Sequence, residues 1–280
     1  MCQWLAHSGT PIRLETVLYR PEHSLIDQSL HSRLGVETTN GDGFGVGWYA
    51  EDADTPAVVR DISPAWNNRN LREIAGHVRS PLFFAHVRAS TGSAVQQTNC
   101  HPFRHGRWIW MHNGAITDFH RLRRDLAMAV DPVLFSFIEG STDSEVMFFL
   151  ALSFGLDQDV PGAVARMTGY VEKVGRAEGV KFPLQMTIAV SDGEQLWTFR
   201  YSSEGTSRSL NYSNRVETLR DLHPDVEFLQ GVSEGTRLVV SEPLGDLPGA
   251  WEAVPENSYS VVHAGELDLL PFVPWVEGQG

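Results

Sequence analysis

Short apolar runs rich in β-branched and aromatic residues recur along the chain and commit it to a sheet-based fold. They are VGWYA, AVVRDI, LFFAHV, WIWMHN, LQMTIAVS, LWTFRYS, TRLVVS and SYSVVH. Gly, Asn, Asp and Pro separate them, as they separate strands. AVSDGEQLWTFRY reads as a hairpin around Asp192 and Gly193. Between some of these runs the apolar period becomes helical. PAWNNRNLREIAGHV puts Leu71, Ile74, Ala75 and Val78 on one face. TDFHRLRRDLAMA follows Thr117, which predicts an N-cap at that residue. STDSEVMFFLALSFGL offers several caps between Ser141 and Ser144 ahead of a strongly apolar helix. PGAVARMTGYVEKVGRAEG starts with Pro161 in a first turn and ends near Gly179. Strands interleaved with helices, without internal repeats or a linker, predict an α+β fold built in layers. The pattern leaves several sheet arrangements open.

At 280 residues the chain fits one large domain. Its net charge of -13 excludes a binder of nucleic-acid backbones, because no basic surplus exists to displace counterions. No run approaches the length of apolar sequence that a membrane span needs. The opening MCQWLAHSGTPIR lacks the basic and apolar regions of a signal peptide. Two cysteines, Cys2 and Cys100, make no disulfide scaffold. The expected location is cytoplasmic, where thiols stay reduced.

Several short stretches carry chemistry. NGDGFGVGW alternates Gly41, Gly43, Gly45 and Gly47. Val46 stands where a dinucleotide fingerprint needs its third glycine, and a strand follows rather than a helix. The alternation bares one strand face to another backbone or to a ligand. In FFAHVRASTG, Arg88 ends an apolar strand and offers a planar fork to a carboxylate; a surface salt bridge is the alternative. Cys100, His101, His105 and His112 lack metal-ligand spacing, so no metal is expected. HNG favours a turn, and it would also set the Asn113 amide beside the Gly114 N–H, the two donors of an oxyanion hole. Asp143 opens a helix, either as a dipole partner or as a ligand for an ammonium group. Cys2, directly behind Met1, is either a small buried residue or a nucleophile that carries its own base.

Cys2, NGDGFGVGW, AHVRAST, NCHPF, MHNG and STDSE, in that order, resemble the class II glutamine amidotransferases of the N-terminal nucleophile hydrolase superfamily. With SRSLNYS and VVSEPL the likeness extends over residues 1–280 as a single type-2 domain. It looks like the stand-alone branch that includes the γ-glutamyl amide hydrolase of ergothioneine synthesis. The resemblance implies a four-layer αββα sandwich. It implies that Cys2, freed by loss of Met1, attacks a glutamine or γ-glutamyl amide and forms a thioester. The α-amine, with a reference pKa of about 7.7–8.0, is the base. Asn113 and Gly114 would hold the oxyanion, Arg88 the substrate α-carboxylate and Asp143 its α-ammonium. Thr91 and His101 would line the pocket.

The resemblance implies no cofactor. The expected partners are a small-molecule substrate and, in one version, a separate synthase that takes the ammonia; neither nucleic acid nor membrane is expected. Ala89 follows the arginine where many synthase-linked members have an aromatic residue, and the chain after Asp143 is needed to finish the sandwich. Hydrolysis, or supply to a separate synthase, is therefore expected over channelled transfer within this chain. Two alternatives are a catalytically idle γ-glutamyl or amino-acid-binding domain and a metal-dependent hydrolase built on the His-rich segment.

Overall fold

The computed structural model describes residues 2–34, 38–50, 52–90, 92–230, 232 and 235–275. The strands, in chain order, are β1 (Gln3–Arg13), β2 (Phe44–Trp48), β3 (Ala57–Asp61), β4 (Arg79–Val87), β5 (Phe103–His105), β6 (Trp108–Ile116), β7 (Leu184–Ser191), β8 (Leu196–Ser202), β9 (Asn211–Ser213), β10 (Arg237–Val240), β11 (Trp251–Ala253), β12 (Ser258–His263) and β13 (Glu266–Pro271). They form two sheets. Sheet A has the order β11-β9-β10-β1-β4-β2-β3, and sheet B has the order β13-β12-β8-β7-β6-β5. The described pairings are antiparallel, including the hairpin of β7 and β8 around Asp192 and Gly193.

Helices α1 (Glu15–Leu18), α2 (Leu25–His31) and α3 (Arg69–His77) contribute Leu14, Val17, Leu25, Leu71 and Ala75, at or beside them, to a core shared with Leu5, Phe83 and Ala85 of sheet A. Between the sheets, Trp4, Ala6 and Phe84 of sheet A meet Ile109, Met111 and Ala189 of sheet B. Helices α4 (Phe119–Met128), α5 (Pro132–Phe135), α6 (Asp143–Ser153) and α7 (Val160–Ala177) follow. Leu122, Phe148 and Met167 of this group pack on Trp110, Met186, Ile188 and Phe199 of sheet B. Alternate residues of one strand thus serve different cores, because strand side chains point to opposite faces. Three cores between four layers make the αββα sandwich. Two further helices, α8 (Val216–Leu222) and α9 (Glu227–Gln230), precede β10.

All eight apolar runs lie on strands, several to the residue. The pattern missed β1, the middle strand of sheet A. Its Ser8-Gly9-Thr10-Pro11 stretch has the composition of a loop. The strand survives this stretch through a register shift against β4 between Ser8 and Ile12. The cap at Thr117 is corrected: α4 starts after Asp118, which takes left-handed φ of 56°, and the Thr117 hydroxyl donates to the Phe182 carbonyl. The turn at HNG is also corrected. His112, Asn113 and Gly114 continue β6 and pair with Ile188, Thr187 and Met186 of β7.

Candidate active site

Cys2 lies immediately before β1, whose next residue, Gln3, pairs with Val87 of β4. That register brings Cys2 to Arg88 and Ala89, where β4 ends. The Cys2 thiol donates to the Ala89 carbonyl at 3.3 Å, and the Ala89 N–H points back at the sulfur at 3.4 Å. The end of β4 is itself pinned: the Arg88 N–H donates to the Gly43 carbonyl at 2.8 Å, and the Asp42 N–H to the Arg88 carbonyl at 3.0 Å. From sheet B, Asn113 reaches across and donates through Nδ2 to the Cys2 carbonyl at 2.7 Å. This bond joins the two sheets at the site.

Gly114 cannot carry a side chain. A Cβ there would stand 1.9 Å from the Gln185 carbonyl oxygen and 2.6 Å from His112 Nε2, at φ of 148°. The alternating glycines do the same for the opposite wall. A Cβ on Gly45 would stand 2.1 Å from the His101 carbonyl oxygen, and one on Gly43 would stand 2.7 Å from Cys100 Sγ. The bare face of β2 therefore accepts the backbone of residues 100–102, not a ligand, and this close approach brings His101 to the cavity wall.

Cys2, Arg88, His101, Asn113, Gly114 and Asp143 all line one cavity of about 800 Å³. Thr91 lies outside the described residues. Arg88 is 3% exposed, so the surface salt bridge is excluded. Its guanidinium donates to neutral acceptors: the Asp42 and Ala94 carbonyls and the Ser90 and Ser93 hydroxyls. Asp143 accepts from the Ile116 N–H and the Ser144 N–H, both at 2.8 Å, which ties the start of α6 to β6.

The electrostatics follow from burial. Burial of the sulfur pushes the Cys2 thiol above its ordinary value, while the Ala89 hydrogen bond and the charges of Arg88 and Arg208 pull it down. Burial lowers His101 far below the usual imidazole range, so its ring is neutral. That ring stacks on His86 at 4.3 Å, and neither of its nitrogens has a hydrogen-bond partner among the described residues. His112 is also lowered by burial, with Asp143 opposing, and its Nδ1 meets the Ser144 hydroxyl at 2.8 Å. Cys100 is a free thiol in the core, pushed up to about 11 by burial. Among the described residues, no group of three or more His, Cys, Asp or Glu side chains could hold a metal ion.

One cavity residue escaped the motif reading. Arg208 lies in the loop between β8 and β9, and its charge acts on both Cys2 and Asp143. The surrounding SRSLNYS contributes to the family likeness, but no spacing within it marks the arginine as a site residue.

A family model for class II glutamine amidotransferases matches residues 21–277. The chain is 37% identical over 304 aligned residues to the probable glutamine amidotransferase DUG3 of Saccharomyces cerevisiae, covering 98% of this chain and 85% of that one. It is 34% identical to a solved glutamine aminotransferase class-II domain protein from Silicibacter pomeroyi, with a TM-score of 0.74 over 98% of this chain and 100% of the other. The glutamine phosphoribosylpyrophosphate amidotransferase of B. subtilis, 14% identical, shares the fold with a TM-score of 0.65 over 98% of this chain and 50% of its own. The chain belongs to the class II glutamine amidotransferases, and its fold is that of the N-terminal nucleophile hydrolases. Among the described residues, no helix is long and apolar enough to cross a membrane.

Proposed function

We propose that the chain is one amidohydrolase domain that cleaves the side-chain amide of glutamine or of a γ-glutamyl amide, with Cys2 as nucleophile. The observation that carries this reading is the meeting of the Cys2 thiol, the Asn113 amide, Arg88 and Asp143 in one cavity. In this mechanism the mature chain begins at Cys2. Its free α-amine takes the thiol proton, and the sulfur attacks the γ-carbonyl carbon. An Asn side chain has two N–H donors. One is spent on the Cys2 carbonyl, and the other, with the Gly114 N–H, faces the developing oxyanion. The amine leaves with the proton from the α-amine, and a thioester remains. Water adds to the thioester carbonyl, its oxygen completes the glutamate carboxyl group, and its proton passes through the α-amine to the departing sulfur, restoring the thiol. Arg88 binds the α-carboxylate, Asp143 the α-ammonium, and the neutral His101 shapes the wall. The chemistry uses no cofactor, and the released ammonia or amine goes to solvent or to a separate synthase.

Mass spectrometry of the purified protein tests the first step, with loss of Met1 expected. Cys2→Ala is expected to reduce hydrolysis of glutamine and γ-glutamyl amides to background. Activity that persists in Cys2→Ala overturns the proposal. A mature wild-type chain that binds these ligands without turning them over establishes the idle binding domain instead.

A further inference from the structure

The cavity holds a cation that the proposed reaction on glutamine does not use. Arg208 makes no ion pair and no side-chain hydrogen bond among the described contacts, and its Nε is buried without a partner. Its backbone, by contrast, is fastened on both flanks. The Thr206 carbonyl accepts from Gln185, and Ser207 donates twice to Glu256, which also pairs with Arg200 at 3.2 Å. The Ser209 hydroxyl donates to the Ser241 carbonyl, and the Leu210 carbonyl accepts from the Val254 N–H. A rigid loop therefore presents an unpaired guanidinium to the cavity. The backbone beneath it is thus ordered before a ligand arrives, and the guanidinium keeps its donors available for one.

Charge and size indicate what it would meet. The other cavity charges are engaged. Arg123 donates to the Gly140 carbonyl, Asp118 pairs with Arg121, and Asp143 accepts two backbone N–H groups. In the amidohydrolase reading, Arg88 and Asp143 hold the two charged groups at the amino-acid end of the substrate. Arg208, whose field reaches Cys2, is then left for groups beyond the scissile bond. Glutamine offers only a departing ammonia there, with no acceptor for a guanidinium. The cavity of about 800 Å³ lies in the upper part of the range of roughly 300–1,000 Å³ that encloses drug-sized ligands, so it has room for a second residue. The planar fork of an arginine matches a carboxylate.

We propose that Arg208 is a specificity-determining residue that binds a carboxylate on the amine side of the scissile amide. The preferred substrates are then γ-glutamyl amino acids or peptides rather than glutamine itself. The inference rests on the amidohydrolase reading for the direction of the substrate, and binding can be measured without turnover.

The test uses the full-length Cys2→Ala chain and calorimetric titration with two ligands, γ-glutamylglycine and γ-glutamylmethylamide. They share the glutamyl group and differ in the distal carboxylate. Cys2→Ala is expected to bind γ-glutamylglycine at least tenfold more tightly, in keeping with a charge-assisted hydrogen bond. Adding Arg208→Gln is expected to shrink that ratio towards one, and Arg208→Lys to restore part of it. Equal affinities in Cys2→Ala overturn the inference even if Arg208→Gln fails to fold. So does a ratio that survives Arg208→Gln, or a loss of affinity equal for both ligands, which would mean that Arg208 serves the shared glutamyl end. If both ligands bind as expected but the mature wild type hydrolyses neither, the amidohydrolase reading fails and the carboxylate site stands.

Discussion

Cys2 and Arg88 reach the cavity from strand ends in sheet A, whereas Asn113 and Gly114 reach it from within a strand of sheet B. A residue within a strand has paired residues before and after it along the chain, as Asn113 and Gly114 have against β7, and a core beneath it. On the sheet B side that core is apolar: Phe148 and Met167 are wholly buried against Trp110 and Met186. A residue at a strand end has paired residues on one side of it along the chain only, and on the sheet A side polar groups supply the rest. Gln3, next to Cys2, donates to buried Glu242 at 2.8 Å, and Ser32, the Arg33 N–H and the Leu34 N–H donate to the same carboxylate. His23 completes the cluster at 2.5 Å. Sheet A thus holds its cavity residues with charge and hydrogen bonds, and sheet B holds its cavity residues with apolar packing. The sheet A side should therefore be the one that responds to pH and to loss of single polar groups.

The largest expected effect is acid destabilisation. His7 in β1, His86 in β4 and His101 against β2 are buried on the sheet A side and kept neutral by burial, the first two with pKa values of about 3. Their unfolded value is 6.5. Between these limits the unfolded chain binds more protons, so stability is full above about pH 6.5 and falls as pH falls towards 3. At pH 5 His7 and His86 each contribute a loss of about 2 kcal/mol, or about 4 kcal/mol together, with His101 acting in the same direction, against total stabilities of about 5–15 kcal/mol. Urea titrations at pH 7 and pH 5 measure this loss. His112 in β6 is lowered by burial as well, so sheet B carries one such histidine against three on the sheet A side, and hydrogen exchange should show β1 and β4 opening before β6 and β7. A stability that is flat over that range, or sheet B opening first, breaks the contrast.

Glu242→Ala comes next. It strands buried His23, Gln3 and Ser32 and removes the acceptor of the Arg33 and Leu34 N–H groups. Removing one member of such a cluster costs about 3–5 kcal/mol. Equilibrium unfolding gives the number, and a loss under about 1 kcal/mol would show that apolar packing also governs sheet A.

The same contrast explains what the sequence made legible. Short apolar runs marked β6, β7 and β8 to within a few residues, because strands packed between layers are buried on both faces and read as apolar along most of their length. Gly41 to Gly47 announced a close approach but not its partner, since nothing local says that residues 100–102 lie across β2. β1 was hidden by its Ser-Gly-Thr-Pro stretch, of which only Ser8 is paired, the strand resuming against β4 at Ile12. Cys2, Arg88, His101, Asn113, Gly114 and Asp143 were found through ordered motifs, and the cavity does bring them together. Arg208 was not found. Its placement depends on Gln185, Glu256 and Ser241, residues distant in sequence whose hydrogen bonds leave no periodic trace.

The smallest expected effect concerns the helix that carries Asp143. Thr142 caps α6, its hydroxyl accepting from the Glu145 N–H, and the Glu145 carboxylate accepts from Glu139 and Gly140. Thr142→Ala should cost about 1 kcal/mol, the ordinary worth of an N-cap. Thr117→Ala should cost roughly 0.5 kcal/mol or less, because that hydroxyl serves the Phe182 carbonyl and caps no helix. Thermal unfolding of the two variants side by side decides the matter, and a larger loss at Thr117 would return the cap of α4 to that residue. The pair also sharpens the comparison of the two sheets. Asp143 is joined to sheet B through the Ile116 N–H, so loosening the start of α6 should weaken binding of the proposed γ-glutamyl ligand more than the small loss of stability accounts for.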